Sequence, residues 1–327
     1  MVIDGRTALS NLSGNPQGRW RPWARDDPGS LVFYDTAKVR FDYDGRKLSA
    51  DDGVFTMGSC FAREIERALT AAGRKVLSSG EALTGPEFRV AGGELSDDFL
   101  NRFTPASMLQ EFQAAFGKLE GWSEEALIFR RGLGKAVDLN YWPIPGADES
   151  HRAVLLRRRR ALELVRRAAE ARMIVLTLGL VEAWRHRPTG LWVNAISPQL
   201  LARQPADFEL VLLDVPQVLD CLEQLQALLR QVHARGDFEL VVTVSPIPLQ
   251  ATFTGQDVIV ANAEGKAVLR ASAAAFTRGR PNTHYFPSYE LVAWSNPART
   301  WKNDAVHLGG RTVAAIVELF TAGVYAA

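Results

Sequence analysis

The feature that most constrains this chain is a change of hydrophobic period within a few residues. Val54–Met57 is a short apolar run with β-branched and aromatic members, which predicts a buried strand. From Phe61 the period becomes helical. Phe61, Ile65, Ala68 and Leu69 share one face, while Arg63, Glu64, Glu66 and Arg67 take the other. Between strand and helix stand only Gly58, Ser59 and Cys60. Gly58 lets the backbone bend where a Cβ would clash. Ser59 stands at the helix N-terminus, beside free N–H groups that favour negative charge. A serine there has two readings: a preferred N-cap, or a nucleophile whose oxyanion those amides stabilise. Cys60 competes chemically, because a thiol at a helix N-terminus can have a lowered pKa. Its side chain is expected to face the packing between sheet and helix.

The rest of the chain continues the alternation. Gly73 stops the first helix, and Lys75–Ser79 predicts a second short strand. Residues 80–150 break the rhythm with Gly, Pro and Asp clusters, one amphipathic helix from about Pro105 to Phe116, and a loop holding Tyr141, Trp142, Pro143 and Pro145. An insertion there is placed to cap a site. A helix from His151 leads into Met173–Leu178, the clearest buried parallel strand. The run Arg157–Arg160 on that helix reads as a solvated face, with a phosphate contact as the alternative. Helices at about 216–233, 258–275 and 310–324 flank strands at 238–244 and 283–286. The pattern predicts a doubly wound (flavodoxin-like) parallel α/β sheet, with a helical and loop insertion between strands two and three. One domain over 51–327 is expected, its insertion at about 80–150. Residues 1–50 are expected as an arm packed on the body, with Trp20, Trp23, Phe33 and Tyr34 as its aromatics. Ligands of such sheets bind at the carboxyl ends of the strands. Ser59, Gly179, Ser245 and Tyr289 all fall at or just beyond such ends.

Composition removes several classes of function. With 38 basic and 37 acidic residues the net charge is +1, which gives no global field for nucleic acid or an anionic membrane. No apolar run approaches the roughly 20 residues of a spanning helix. The N-terminus lacks the pattern of a secretory signal. Cys60 and Cys221 make neither a disulfide scaffold nor a metal knuckle. A cytoplasmic protein with no metal and no cofactor is the expectation, with no nucleic-acid or membrane partner.

A serine nucleophile needs a base, and the base needs an orienting group. His151 and His233 lie at helix ends, His284 lies inside the last strand, and His186 has no such setting. His307 lies in a loop before the final helix, three residues after Asp304. One loop can then present both groups, the carboxylate taking the Nδ1 proton while Nε2 faces the serine. A capping Asp with a surface His is the plain alternative.

Residues 58–62 spell Gly-Ser-Cys-Phe-Ala, the letters that name the GSCFA family. That family resembles the SGNH (GDSL-like) esterases. The resemblance covers most of residues 50–320, including 177–184, 244–252 and 285–290. It implies Ser59 as nucleophile, with Asp304 and His307 completing the triad. It also implies Asn101, Gly179 and Glu182 as oxyanion or substrate-binding residues. Where SGNH esterases carry an oxyanion-donating Asn in Gly-x-Asn-Asp, this chain has Val181, followed by Glu182. The implied activity is a serine esterase acting on an acyl ester, acetyl above all, of a sugar or small alcohol. An O-acyltransferase with the same triad stays open, as does an inactive module that binds a ligand or glycan.

Overall fold

The computed structural model describes residues 3–15, 36–83, 85–89, 97–304 and 306–326, so Trp20, Trp23, Phe33 and Tyr34 lie outside the described residues. In chain order come α1 (Gly5–Gly14), β1 (Val54–Gly58), α2 (Cys60–Ala71) and α3 (Pro105–Ala115). The hairpin strands β2 (Ile128–Gly132) and β3 (Lys135–Asp138) precede α4 (His151–Arg166) and β4 (Met173–Leu178). Next are β5 (Glu182–His186), β6 (Leu191–Val193), α5 (Pro198–Arg203), β7 (Phe208–Leu212) and α6 (Val215–Val232). The chain ends with β8 (Glu239–Val244), α7 (Val258–Thr277), β9 (Thr283–Phe286), α8 (Ser288–Ala293), α9 (Pro297–Thr300) and α10 (Gly310–Val324).

The central sheet is parallel, in the order β1-β4-β8-β9. Its two central strands separate two cores by the period of two along a strand. Along β4, Met173 and Val175 join Phe61, Ile65, Ile316 and Phe320 of α2 and α10. Ile174, Leu176 and Leu178 join Phe112, Leu222, Leu225 and Leu269 of α3, α6 and α7. All six residues of β4 are buried, so truncating one of its leucines to Ala should cost about 2–5 kcal/mol. Helices on both faces are what a parallel sheet requires, and the doubly wound expectation holds.

The second strand is shorter than its sequence suggests. Val54 N–H donates to Lys75 O and Leu77 N–H to Val54 O, forming one parallel bridge with Val76. The next rung is filled by a side chain, because Thr56 N–H donates to Ser78 Oγ at 2.9 Å. The chain then turns into a 3-10 helix at Gly80–Ala82. Counting this segment beside β1, the spatial order is second, first, third, fourth, fifth. That is the flavodoxin-like order.

Three features depart from the sequence reading. An antiparallel sheet, β6-β5-β7, stands between β4 and α6, where the sequence reading placed no element. Arg63 and Glu66 are buried rather than on a polar face, since Glu66 accepts from Arg63, Thr56 and Ser78 and ties α2 to β1 and its neighbour. The run Arg157–Arg160 is only half solvated. Arg158 is fully buried and forks onto Asp138, and Arg157 donates to the carbonyls of Glu87 and Asp148. Guanidinium groups tolerate burial when each donor finds an oxygen. Residues 36–48 lie against the sheet's β9 side, with Phe41 packed on Phe286 at 5.0 Å between ring centres.

Candidate active site

The site forms at the carboxyl ends of the parallel strands. Gly58 closes β1 with no room for a side chain: a Cβ there would lie 2.5 Å from the Cβ and carbonyl oxygen of Thr177 on β4. Ser59 follows in extended conformation and makes no capping bond to α2. Its hydroxyl donates to Ser245 Oγ at 3.0 Å instead, across from β1 to the end of β8. The N-cap reading therefore loses its defining contact. Ser59 is 4% exposed and stands at the N-terminus of α2, where the first N–H groups of a helix lack i−4 partners.

The floor is braced from α7. Lys266 Nζ donates to Gly179 O at 2.9 Å and to Ser245 O at 2.8 Å. Burial pushes its ammonium down to about 7. Gly179 is required by crowding, since a Cβ would lie 2.7 Å from Phe103 O. Cys60 borders the same space, but burial, with Asp98 nearby, pushes its thiol up to about 11. It stays protonated at neutral pH and so lacks the thiolate form that attack by sulfur requires.

Asp304 and His307 come from a loop closed on itself. Lys302 N–H donates to His307 O at 2.7 Å, and Trp301 bridges Leu308. Asp304 Oδ1 accepts from the N–H groups of His307 and Val306, and Oδ2 bonds His307 Nδ1 at 2.7 Å. Those two backbone donors, then the imidazole, hold the Asp304 carboxyl well below the usual carboxylate range. With Nδ1 engaged, Nε2 is the ring nitrogen left for the cleft.

A cavity of about 540 Å³ joins the two halves, and Ser59, Asn101, Gly179, Glu182, Ser245 and His307 all line it. Asp304 stands behind His307. No hydrogen bond links Ser59 to His307, because the serine hydroxyl is turned to Ser245. Asn101 reaches the cavity from a 3-10 helix, Asp97–Leu100, rather than directly from a strand. One amide proton goes to Asp98 Oδ1 at 3.1 Å, and its Oδ1 is buried with no partner. Its backbone is fixed by Asn194 Nδ2 and Arg102, the latter paired with Glu111 and stacked over Tyr141. Glu182 spends both oxygens on the loop after β8, accepting from Thr252 Oγ1 and Phe253 N–H. Val181 is buried and aliphatic, against Gly265. Tyr289 sits on α8 against the core instead of lining the cleft.

Sequence reasoning gave no role to Lys266, Asn194 or the aromatic walls Phe103, Trp184 and Phe253. Lys266 carried a signal: it falls in the buried stripe of α7 with Ala261, Gly265 and Leu269, a lone cation on an apolar face. Among the described residues no cluster of three or more His, Cys, Asp or Glu is arranged to hold a metal ion. No described helix is long and apolar enough to cross a membrane.

A model of the GSCFA family matches residues 53–320. No curated protein matches the chain. Among solved structures, a carbohydrate esterase family 3 from Talaromyces cellulolyticus is similar at 10% identity, over 83% of this chain and 95% of the other, with a TM-score of 0.34. An acetyl esterase mutant with acetate ion is similar at 9% identity, over 83% and 95%, with a TM-score of 0.32.

Proposed function

We propose that this chain, which belongs to the GSCFA family, is a serine esterase that hydrolyses an acyl ester, acetyl above all, of a sugar or small alcohol. The observation that carries the proposal is a meeting in one cleft: an uncapped Ser59 from one end of the chain, an oriented Asp304–His307 pair from the other. In the reaction Ser59 Oγ leaves Ser245 for His307 Nε2, loses its proton there, and attacks the acyl carbonyl. The oxyanion takes the N–H groups at the start of α2 and the second amide proton of Asn101. His307 then gives the proton to the leaving alcohol, and a water molecule repeats the sequence to free the acid. Asp304 stays ionised and holds the imidazole. Trp142 and Phe253, each about half exposed, give the alcohol side of the ester apolar surfaces to lie on.

Turnover of a short aryl ester tests this, together with labelling by a fluorophosphonate. Ser59→Ala should abolish both, a loss of roughly a thousandfold or more, and Cys60→Ala should leave both nearly unchanged. Absence of turnover and label, with a glycan still bound, would select the inactive binding module. Acyl transfer to an added alcohol in preference to water would select the O-acyltransferase.

A further inference from the structure

Lys266 is a buried cation whose place the fold alone does not explain. Its side chain is 2% exposed, and among the described residues it forms no ion pair. A buried ammonium without a carboxylate is costly, and an apolar residue would pack this stripe of α7 more cheaply. What Lys266 does hold is specific. Its two acceptors, Gly179 O and Ser245 O, lie just past the ends of β4 and β8, strands paired in register through Leu178 and Val244. Both residues touch the nucleophile. Ser245 Oγ accepts the Ser59 proton, and a Cβ on Gly179 would lie 3.3 Å from Ser59 Cβ.

We propose that Lys266 is a positioning residue for Ser59: its ammonium draws the Gly179 and Ser245 carbonyls to one point beneath the cleft, fixing both groups against which Ser59 is set. The proposal rests on Ser59 being the nucleophile. Lys266 exchanges no proton with the substrate. It sets the position of Ser245 and puts positive charge under the oxyanion that forms above it. The titratable groups facing it are few. Cys60 comes from α2 and remains a thiol. Glu182 of β5 borders a small cavity beside it and is tied to Thr252 and Phe253. Asp98 and His307 line the cleft above, and the ends of β4 and β8 bring only carbonyls and hydroxyls. Burial places the loss of the ammonium at about 7, so the charged form belongs to the acidic side.

The test is the rate at which a fluorophosphonate labels Ser59 in the full chain, followed from about pH 5 to about pH 9. The wild type should lose rate on the alkaline side as Lys266 discharges. Lys266→Met should label about tenfold slower or more, with that alkaline limb gone. Lys266→Gln, which restores a donor without a charge, should recover part of the rate and none of the limb. A folded Lys266→Met with wild-type rate and pH profile overturns the proposal. If both variants unfold, NMR titration of 13C-labelled lysine in the wild type decides: one lysine should discharge near neutral pH in step with the labelling rate, and ordinary titration of every lysine overturns the proposal. A wild type that takes no label at any pH overturns the esterase reading, and this proposal with it.

Discussion

The two halves of the cleft are built in opposite ways. The half around Ser59 is made of strand ends. Ser59, Gly179, Ser245 and Lys266 are buried, and each is held by a residue distant in sequence. The half around His307 is a loop. Asp304 and His307 are about half exposed, and their bonds run within residues 302–307. The difference separates two sources of precision. Position in the first half comes from the sheet register, so it is as firm as the fold. Orientation in the second comes from three local hydrogen bonds, so it can be lost while the fold stands.

Asp304→Asn should break the comparison hardest on the loop side. It replaces one of the two carboxylate oxygens with an amide donor, which favours the wrong imidazole tautomer, and kcat should fall by roughly three to four orders of magnitude. The denaturant midpoint should barely move, since the pair is exposed. A matching loss of stability would mean that the loop is part of the folded framework after all. On the sheet side, Arg63→Met should do the converse. It leaves Glu66 without its buried cation and should cost about 3–5 kcal/mol in denaturant unfolding. Arg67→Met, which breaks the exposed pair with Glu64 on the same helix, should cost less than about 1 kcal/mol.

Asn101→Ala sharpens the comparison within the cleft. If its free amide proton meets the oxyanion, kcat should fall about a hundredfold with little change in KM. A variant that changes KM alone would make Asn101 a substrate contact instead. The last effect is in the pH dependence of stability. Lys266 discharges at about 7 in the fold against an ordinary 10.5. Between those values the unfolded chain binds more protons, so through this group stability rises with pH. Cys60 and Cys221 act in reverse, because burial pushes them from 9.0 to about 11 and about 12. The folded chain holds more protons above pH 9, and stability falls there. Denaturant midpoints should therefore rise from neutral pH, pass a maximum near pH 9 and decline. Lys266→Met should flatten the rise and leave the decline.

How much of this could be read from the sequence follows from which signals are local. Met173–Leu178 is a run of six with a strand's composition, and the strand has those bounds. The final helix, 310–324, is amphipathic from end to end and was equally legible. The β6-β5-β7 sheet was not, because strands such as Leu191–Val193 are too short for a period to register. A turn at Thr189-Gly190, where Gly190 has φ +68°, was the available hint. Ser59, Asn101, Gly179, Glu182, Asp304 and His307 were named from motif and resemblance. What the side chains do there was beyond the motif: Glu182 clasps a loop and Ser59 turns to Ser245. Arg158 and Lys266 were hidden for one reason. Periodicity counts a cation as outward-facing, and only tertiary contacts reveal the oxygens waiting for it inside.

The filled rung at Thr56 also bears on how this protein meets other copies of itself. An exposed parallel edge is a template onto which a foreign strand can add, and that addition is how many sheets begin to aggregate. Here the residue-75–78 segment covers β1 for one bridge, and then Ser78 Oγ takes the Thr56 N–H. A hydroxyl terminates hydrogen bonding where a backbone carbonyl would have propagated it. The sheet is thus closed on that side by a side chain too short to pass the pattern on.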